Sequence, residues 1–237
     1  MIVAVIPARG GSKRIARKNL AECAGKPLLV WTAEAAVASK SIDRTILSTD
    51  DGEIAERGRQ AGLEVPFMRP ADIADDKAPM LPVLRHVLDW VKGAGGAVEG
   101  LVLLQPTSPL RTAVHIDEAI RFFRERRAAS VVSVVEVPHR FHPAKLLQIR
   151  GDGSLESYTD ERDAKDKSGA GDDACYGRNG PAILVTRPDV IRAGKLYGDP
   201  TLPYVMAPED SVDIDEPFDL WLAGAVLRRR LGVSAPS

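Results

Sequence analysis

Apolar positions in this chain come in short blocks whose spacing changes along its length. Ile2–Ile6 is branched and continuously apolar, which predicts a strand covered on both faces. From Pro27 a helical pattern follows, with Leu28, Trp31, Ala35 and Ala38 on one side. Proline suits a first helical turn because its missing N–H would have no partner there. Arg44–Thr49 reads as a second strand. Asp50 then stands three residues before Glu53, a capping-box spacing that predicts a helix to about Ala61. Val83, Leu84, Val87, Leu88 and Val91 mark another amphipathic helix. Leu101–Leu104 is a third core strand, Val114–Arg126 a helix with Ala119, Ile120 and Phe123 inward, and Ser130–Val137 the longest strand.

The pattern breaks between Pro138 and Gly177. Two short strands, near Lys145–Ile149 and Gly153–Ser157, lead into the polar run Thr159–Asp173, which reads as a mobile loop or subdomain arm. Ala182–Thr186 resumes the sheet, Tyr204–Ala207 adds an edge strand, and Pro217–Leu231 closes the chain as a helix burying Phe218, Trp221, Leu222 and Ala225. Strands alternating with helices predict an α/β fold, a mostly parallel sheet with helices on both faces. The expected organisation is a single domain over residues 1–237, with residues 138–177 as an inserted arm.

Composition narrows the partners. With 237 residues the chain is long enough for one substantial core, and its net charge of -1 gives no global reason to expect nucleic acid or an anionic membrane. Cys23 and Cys175 are far apart and lack metal or disulfide spacing, which predicts a reducing compartment. No signal-peptide pattern and no membrane-length apolar run is present, so the expected location is the cytoplasm.

Positive charge is concentrated in one place. Arg9–Asn19 holds five cations, Arg9, Lys13, Arg14, Arg17 and Lys18, beside the glycine pair Gly10-Gly11. Glycine permits close backbone approach, and successive amides form an anion-binding nest. Such a loop suits a triphosphate, although it matches neither the P-loop nor the dinucleotide fingerprint. A solvated loop and a nucleic-acid arm are the competing readings. Asp213-Ile214-Asp215 would place two carboxylates on one face of a strand, able to hold Mg²⁺, unless Asp215 simply caps the last helix. Capping likewise competes for Asp50-Asp51, and a rigid turn for Gln105–Arg111. All four segments fall where parallel α/β sheets gather ligands, beyond the carboxyl ends of strands. His86, His115, His139 and His142 show no metal spacing.

The motifs in order, "IPARGGSKRIARKN", "STDDGEIA", "MRPADIADD", "LLQPTSPLR", "RNGPAI" and "DSVDIDEPFDL", resemble the acylneuraminate cytidylyltransferases (CMP-sialic acid synthetases) over nearly the whole chain. The resemblance implies a nucleotide-diphospho-sugar-transferase-like (Rossmann-like) fold with a small dimerisation subdomain. It also implies conversion of CTP and a nonulosonic acid sugar to the CMP-sugar and pyrophosphate, with Mg²⁺, by a homodimer. Related enzymes for pseudaminic acid, legionaminic acid, KDN or Kdo, and a non-catalytic CTP-binding protein, are the alternatives.

By matching positions, Ala8, Arg9, Gly10, Gly11, Ser12, Lys18, Asn19 and Arg69 would bind the nucleotide. Gln105, Lys145, Arg178 and Asn179 would face the sugar, with Lys145 reaching a partner subunit's site. Asp213 and Asp215 would hold the metal, and Arg9, Lys18 and Asp215 would carry the catalysis. The resemblance departs at Ala78-Pro79-Met80, where some relatives place a small hydroxyl residue near the base, and across Glu161–Cys175, where sugar selectivity would be expressed.

Overall fold

The computed structural model describes residues 1–75, 79–159 and 174–233. The elements run β1 (Ile2–Pro7), a small hairpin β2 (Glu22–Cys23) and β3 (Lys26–Pro27), α1 (Leu28–Val37), β4 (Arg44–Ser48), α2 (Gly52–Gln60), α3 (Met80–Gly93) and β5 (Gly100–Leu103). They continue with α4 (Ala113–Glu125), β6 (Ser130–Glu136), a hairpin β7 (Leu147–Ile149) and β8 (Leu155–Ser157), β9 (Tyr176–Arg178), β10 (Leu184–Thr186), α5 (Pro188–Arg192), β11 (Thr201–Met206) and α6 (Pro217–Leu231). The central sheet has the order β11-β6-β10-β5-β1-β4, with β9 added on β6. β1 pairs parallel with β4 and β5, β11 parallel with β6, and β10 antiparallel with both β5 and β6. β4, β1, β5, β6 and β11 therefore share one direction, against β10 and β9. The start of β10 thus meets the carboxyl end of β5, which brings residues 179–182 to the edge where the basic loop leaves β1.

The apolar blocks are the core. On β1, Ile2, Ala4 and Ile6 face one side with Leu29, Ala33, Ile116 and Ile120, while Val3 and Val5 face the other with Leu84, Val87 and Leu88. This is the period-two alternation of a strand covered on both faces. Each buried Val, Leu or Ile among them contributes roughly 1.5–3 kcal/mol of transfer free energy. A third cluster, Cys23, Leu28, Leu110, Ile214, Ala223 and Leu227, packs under α6 and ties it to the small hairpin.

Several expectations change. α1 is buried on more than one side, through Leu28, Leu29, Thr32, Ala33, Ala35 and Ala36, and Ala38 is its exposed C-cap. α6 buries Ala223, Gly224 and Leu227, whereas Phe218 and Trp221 are 67% and 60% exposed and stack on each other with centroids 5.6 Å apart. The helix packs on the body through Ala223, Gly224 and Leu227, with Leu220 and Val226 beside them, and Phe218 and Trp221 lie off that face. The cap of α2 is Asp51, one residue later than the spacing predicts: its carboxylate accepts from Glu53 N (2.9 Å) and Ile54 N (3.0 Å). Asp213–Asp215 is extended but unpaired in the sheet, held by Ile214 N donating to Thr107 O at 2.8 Å. Beyond Thr159, the polar run expected as an arm lies at 160–173, outside the described residues. Among the described residues no helix is long and apolar enough to cross a membrane.

Candidate nucleotide site

The loop after β1 is built on its own backbone. Ser12 Oγ donates to Ile15 O and accepts from Lys18 N at 3.1 Å, and Asn19, 8% exposed, donates its side-chain amide to Arg9 O at 2.9 Å. Arg17 takes a left-handed conformation (φ 49°) just before the short helical turn Lys18–Leu20. These contacts pin the two ends of the loop at Ser12 and Lys18–Asn19, while Gly11, Lys13, Arg14, Ala16 and Arg17 stay exposed.

Gly10 has a tighter reason for being glycine than chain freedom. A Cβ there would lie 2.6 Å from Asp51 Oδ2 and 2.9 Å from Asp51 Cβ. Its amide donates to Asp50 Oδ1 at 3.0 Å, so Asp50 holds the loop while Asp51 caps the helix. Ala8 is fully buried and its amide is spent on Ser48 O at 3.0 Å, making it a core residue of the strand end.

Lys18 and Arg69 are the anchored cations. Lys18 Nζ donates to Ile214 O at 2.8 Å and stands 3.5 Å from Asp215 Oδ1, linking the basic loop to the acidic segment across most of the sequence. Arg14 reaches the same carboxylate at 3.6 Å. Arg69 is 8% exposed and donates to Ser48 Oγ (3.1 Å) and Ser48 O. Burial pulls its pKa down, with Asp50 acting the other way and Arg9 reinforcing the fall. Arg9 donates to Asp75 O at 3.3 Å.

A cavity of about 280 Å³ opens among these groups, with Arg9, Gly11, Ser12, Lys18, Asn19, Arg69 and Gln105 in its lining. Gln105 donates to Gly180 O at 3.1 Å, which fixes its amide at the wall. Met80 and Val83 supply an apolar end, a suitable seat for a flat base. Lys145, Arg178 and Asn179 are not in that lining. Lys145 lies exposed on the 138–159 arm with Nζ 3.0 Å from His139 Nδ1, and Arg178 donates to Tyr197 OH at 2.9 Å. Asn179 is 3% exposed. Its oxygen accepts from Ser133 Oγ (2.6 Å) and Ala182 N (3.3 Å), and its nitrogen donates to Ser211 Oγ (3.0 Å). In this chain it braces the turn into β10 from within.

Asp213 and Asp215 fit a divalent cation. Asp213 Oδ1 is buried and makes no hydrogen bond; burial pushes its carboxyl pKa up, the Thr107 hydroxyl acts the other way, and Asp215 adds to the rise. A hard cation is what such an oxygen lacks. Asp215 is not the helix cap: Asp219 Oδ2 accepts from Asp215 N (3.0 Å) and Glu216 N (2.8 Å), leaving the Asp215 carboxylate turned toward Lys18 and Arg14. Among the described residues no third His, Cys, Asp or Glu joins them, so further ligands would be ligand phosphates and water. Gly180, at φ +118°, lets this corner close: a Cβ there would sit 3.1 Å from Ser108 Oγ and 3.3 Å from Asp213 Oδ1.

The profile of a family described as Cytidylyltransferase matches residues 3–163, taking in the basic loop, Arg69 and the Gln105–Arg111 turn. The chain belongs to the cytidylyltransferase family. Among its relatives, the CMP-N,N'-diacetyllegionaminic acid synthase of Legionella pneumophila is 33% identical over 92% of this chain and 92% of its own. The N-acylneuraminate cytidylyltransferase of Escherichia coli O18:K1:H7 is 30% identical over 97% of this chain and 52% of its own. The pseudaminic acid cytidylyltransferase of Campylobacter jejuni is 32% identical over 60% of this chain and 62% of its own. The chain thus spans about half of the E. coli protein and nearly all of the Legionella one. In fold it is similar to a CMP:2-keto-3-deoxy-manno-octonic acid synthetase complexed with CTP, with a TM-score of 0.69 at 17% identity over 97% of this chain and 99% of that one. This is the nucleotidyltransferase α/β fold, as expected.

Asp75 lines the cavity although nothing singled it out in the sequence, whereas Thr107 and Arg111 fall inside the Gln105–Arg111 segment read as a candidate, Thr107 on the lining and Arg111 behind it. Arg111 ends the "LLQPTSPLR" motif, yet nothing in its spacing marks it as buried.

Proposed function

We propose that this chain transfers the cytidylyl group of CTP to the anomeric hydroxyl of a nonulosonic acid, releasing pyrophosphate. The observation that carries this reading is the convergence of Arg9, Lys18, Arg69 and Gln105 on one cavity, with Lys18 also touching the Asp213–Asp215 segment. The hydroxyl oxygen forms a bond to the α-phosphorus, the bond from that phosphorus to the bridging oxygen breaks, and the hydroxyl proton leaves to solvent. Rate enhancement in such a displacement comes from alignment and from fixed charge on the phosphate oxygens. Lys18, pinned between Ile214 O and Asp215, supplies one such charge, and Arg9 a second. Arg69, buried beside the apolar end of the cavity, orients the base side. Asp213 and Asp215 would hold Mg²⁺, which neutralises phosphate charge and orients the pyrophosphate leaving group when bound.

The working unit in this reading is a homodimer built through the arm. Leu147, Ile149, Leu155 and Tyr158 are 61%, 76%, 62% and 65% exposed on the β7–β8 hairpin, more clustered apolar surface than a lone hairpin leaves in water. Lys145 would then serve the sugar side from this arm, and Arg178 from β9 in the central sheet. Two free cysteines and the absence of any disulfide among the described residues support a reducing compartment, the cytoplasm. The test is pyrophosphate release on mixing the chain with CTP, Mg²⁺ and a panel of nonulosonic acids. Release with at least one sugar is expected. CTP binding without release from any of them would favour a nucleotide-binding protein instead.

A further inference from the structure

Arg111 is 2% exposed. Its guanidinium donates to Ala182 O (2.7 Å), Gln105 O (3.2 Å) and Thr32 Oγ1 (2.7 Å), while Nε has no partner. All three acceptors are neutral, and among the described residues no carboxylate pairs with it. Burial draws its pKa from 12.5 to about 9, so at neutral pH it is still a cation. Buried charges in proteins are ordinarily paired, because desolvation costs several kcal/mol per ion. Here hydrogen bonding is mostly satisfied and charge is not.

Its place supplies the missing partner. Gln105, whose carbonyl it holds, lines the cavity, and Ala182 leads into β10 at the same edge of the sheet. A fixed positive charge therefore stands directly behind the cavity wall, in a dry medium where its field is poorly screened. The exposed loop cations differ, since Arg14 and Arg17 both meet carboxylates.

We propose that Arg111 is a built-in counter-charge for the anion that occupies the cavity, a positioning residue whose electrostatic partner is the ligand's phosphate rather than any group of the protein. The ligand class rests on the CTP reading above.

The experiment measures dissociation constants of the full chain for CTP and for the uncharged probe cytidine, in the wild type, Arg111→Lys and Arg111→Gln, at low and high salt. Arg111→Gln should weaken CTP by about tenfold or more relative to Arg111→Lys. Cytidine binding should be alike in the two variants, and the CTP penalty should persist at high salt. A second variant, Thr32→Asp, gives the guanidinium an internal carboxylate and should weaken CTP while sparing cytidine. Equal CTP affinity in the Lys and Gln variants overturns the proposal, as does parallel loss of CTP and cytidine. If Arg111→Gln and Thr32→Asp both lose the fold while Arg111→Lys keeps it, the charge serves folding and the proposal also fails. A wild-type chain that binds inorganic triphosphate but not CTP would refute the CTP reading alone, and the same variants are then compared with triphosphate. Binding of neither overturns both.

Discussion

Replacing Lys18 separates catalysis from stability. In the free protein its ammonium makes one hydrogen bond to a carbonyl and one ion pair at 3.5 Å with a carboxylate that is 63% exposed. The hydrogen bond is worth about 1 kcal/mol and the exposed pair about 0–1 kcal/mol. Lys18→Met, which keeps the aliphatic stem, should therefore cost about 1–2 kcal/mol of stability, each kcal/mol lowering Tm by about 2–4 °C for a chain of this size. In the transition state the same ammonium would face developing charge on phosphate in a site partly shielded from water. Losing one preorganised charge contact there costs about 2.7–4 kcal/mol, or 10²–10³ in rate. The assay is initial-rate pyrophosphate release at saturating sugar with CTP varied, run beside a thermal melt on the same preparation. The expected result is kcat/KM down by about 10²–10³ in a protein still folded at the assay temperature, with Lys18→Arg recovering part of it. Turnover within about threefold of wild type would refute the reasoning. So would an activity loss that merely tracks the folded fraction.

Other consequences are as direct. Asp215→Asn should raise the Mg²⁺ concentration for half-maximal activity by about tenfold or more and leave Tm within a few degrees, since Glu216 and not Asp215 caps the helix; a variant that unfolds would restore the capping role. Ile149→Asp, on the 76% exposed hairpin position, should convert a dimer to monomer by light scattering without unfolding it, and unchanged mass would remove the arm from the interface. Burial raises the Cys23 thiol pKa from 9.0 to about 11, so the folded chain keeps a proton that the unfolded chain loses. The stabilisation from this site is complete below pH 9 and declines as pH rises toward 11. The Tm advantage of wild type over Cys23→Ala should shrink over that interval, and a constant difference would contradict the assignment.

The core strands were legible because each is a short apolar run with its own punctuation, and β1 shows why: every residue from Ile2 to Ile6 is buried, so no polar alternation was needed to find it; β2, β3 and β9, with the sequences EC, KP and YGR, carry no such run and were not foreseen. The convergence of loops was legible too, since parallel strands place their carboxyl ends on one edge. Local signals failed where a tertiary contact decided the outcome. The cap moved from Asp50 to Asp51 because Gly10's amide claims Asp50 across the sheet edge. Phe218 and Trp221 read as core by period, but α6 reaches the body through Ala223, Gly224 and Leu227 instead. Asn179, placed at the sugar side by the resemblance alone, is buried here and bonded to the Ser133 and Ser211 hydroxyls, a bracing contact that its position in the sequence does not signal. Arg111 is the extreme case, a charge whose burial depends on α1, β5 and β10 meeting.

The free site also stores its cations on carboxylates. Arg17 is held by Asp51 (3.1 Å) and Glu53 (3.0 Å), and Arg14 and Lys18 share Asp215. These pairs limit self-repulsion among five neighbouring positive charges and keep the side chains near the strand ends. Because most partners are exposed, breaking them costs only about 0–1 kcal/mol apiece, so a triphosphate exchanges them cheaply. On the reading proposed above, Lys18 would move to a phosphate oxygen, and Asp215, freed from it, would be available to hold a divalent cation. The outer cations Lys13, Arg14 and Arg17 would then act mainly on encounter, through a field that salt screens. The inner ones act on the bound state. Rising ionic strength should accordingly slow CTP association more than it speeds dissociation, the opposite of what a site dominated by its outer cations in the bound complex would show.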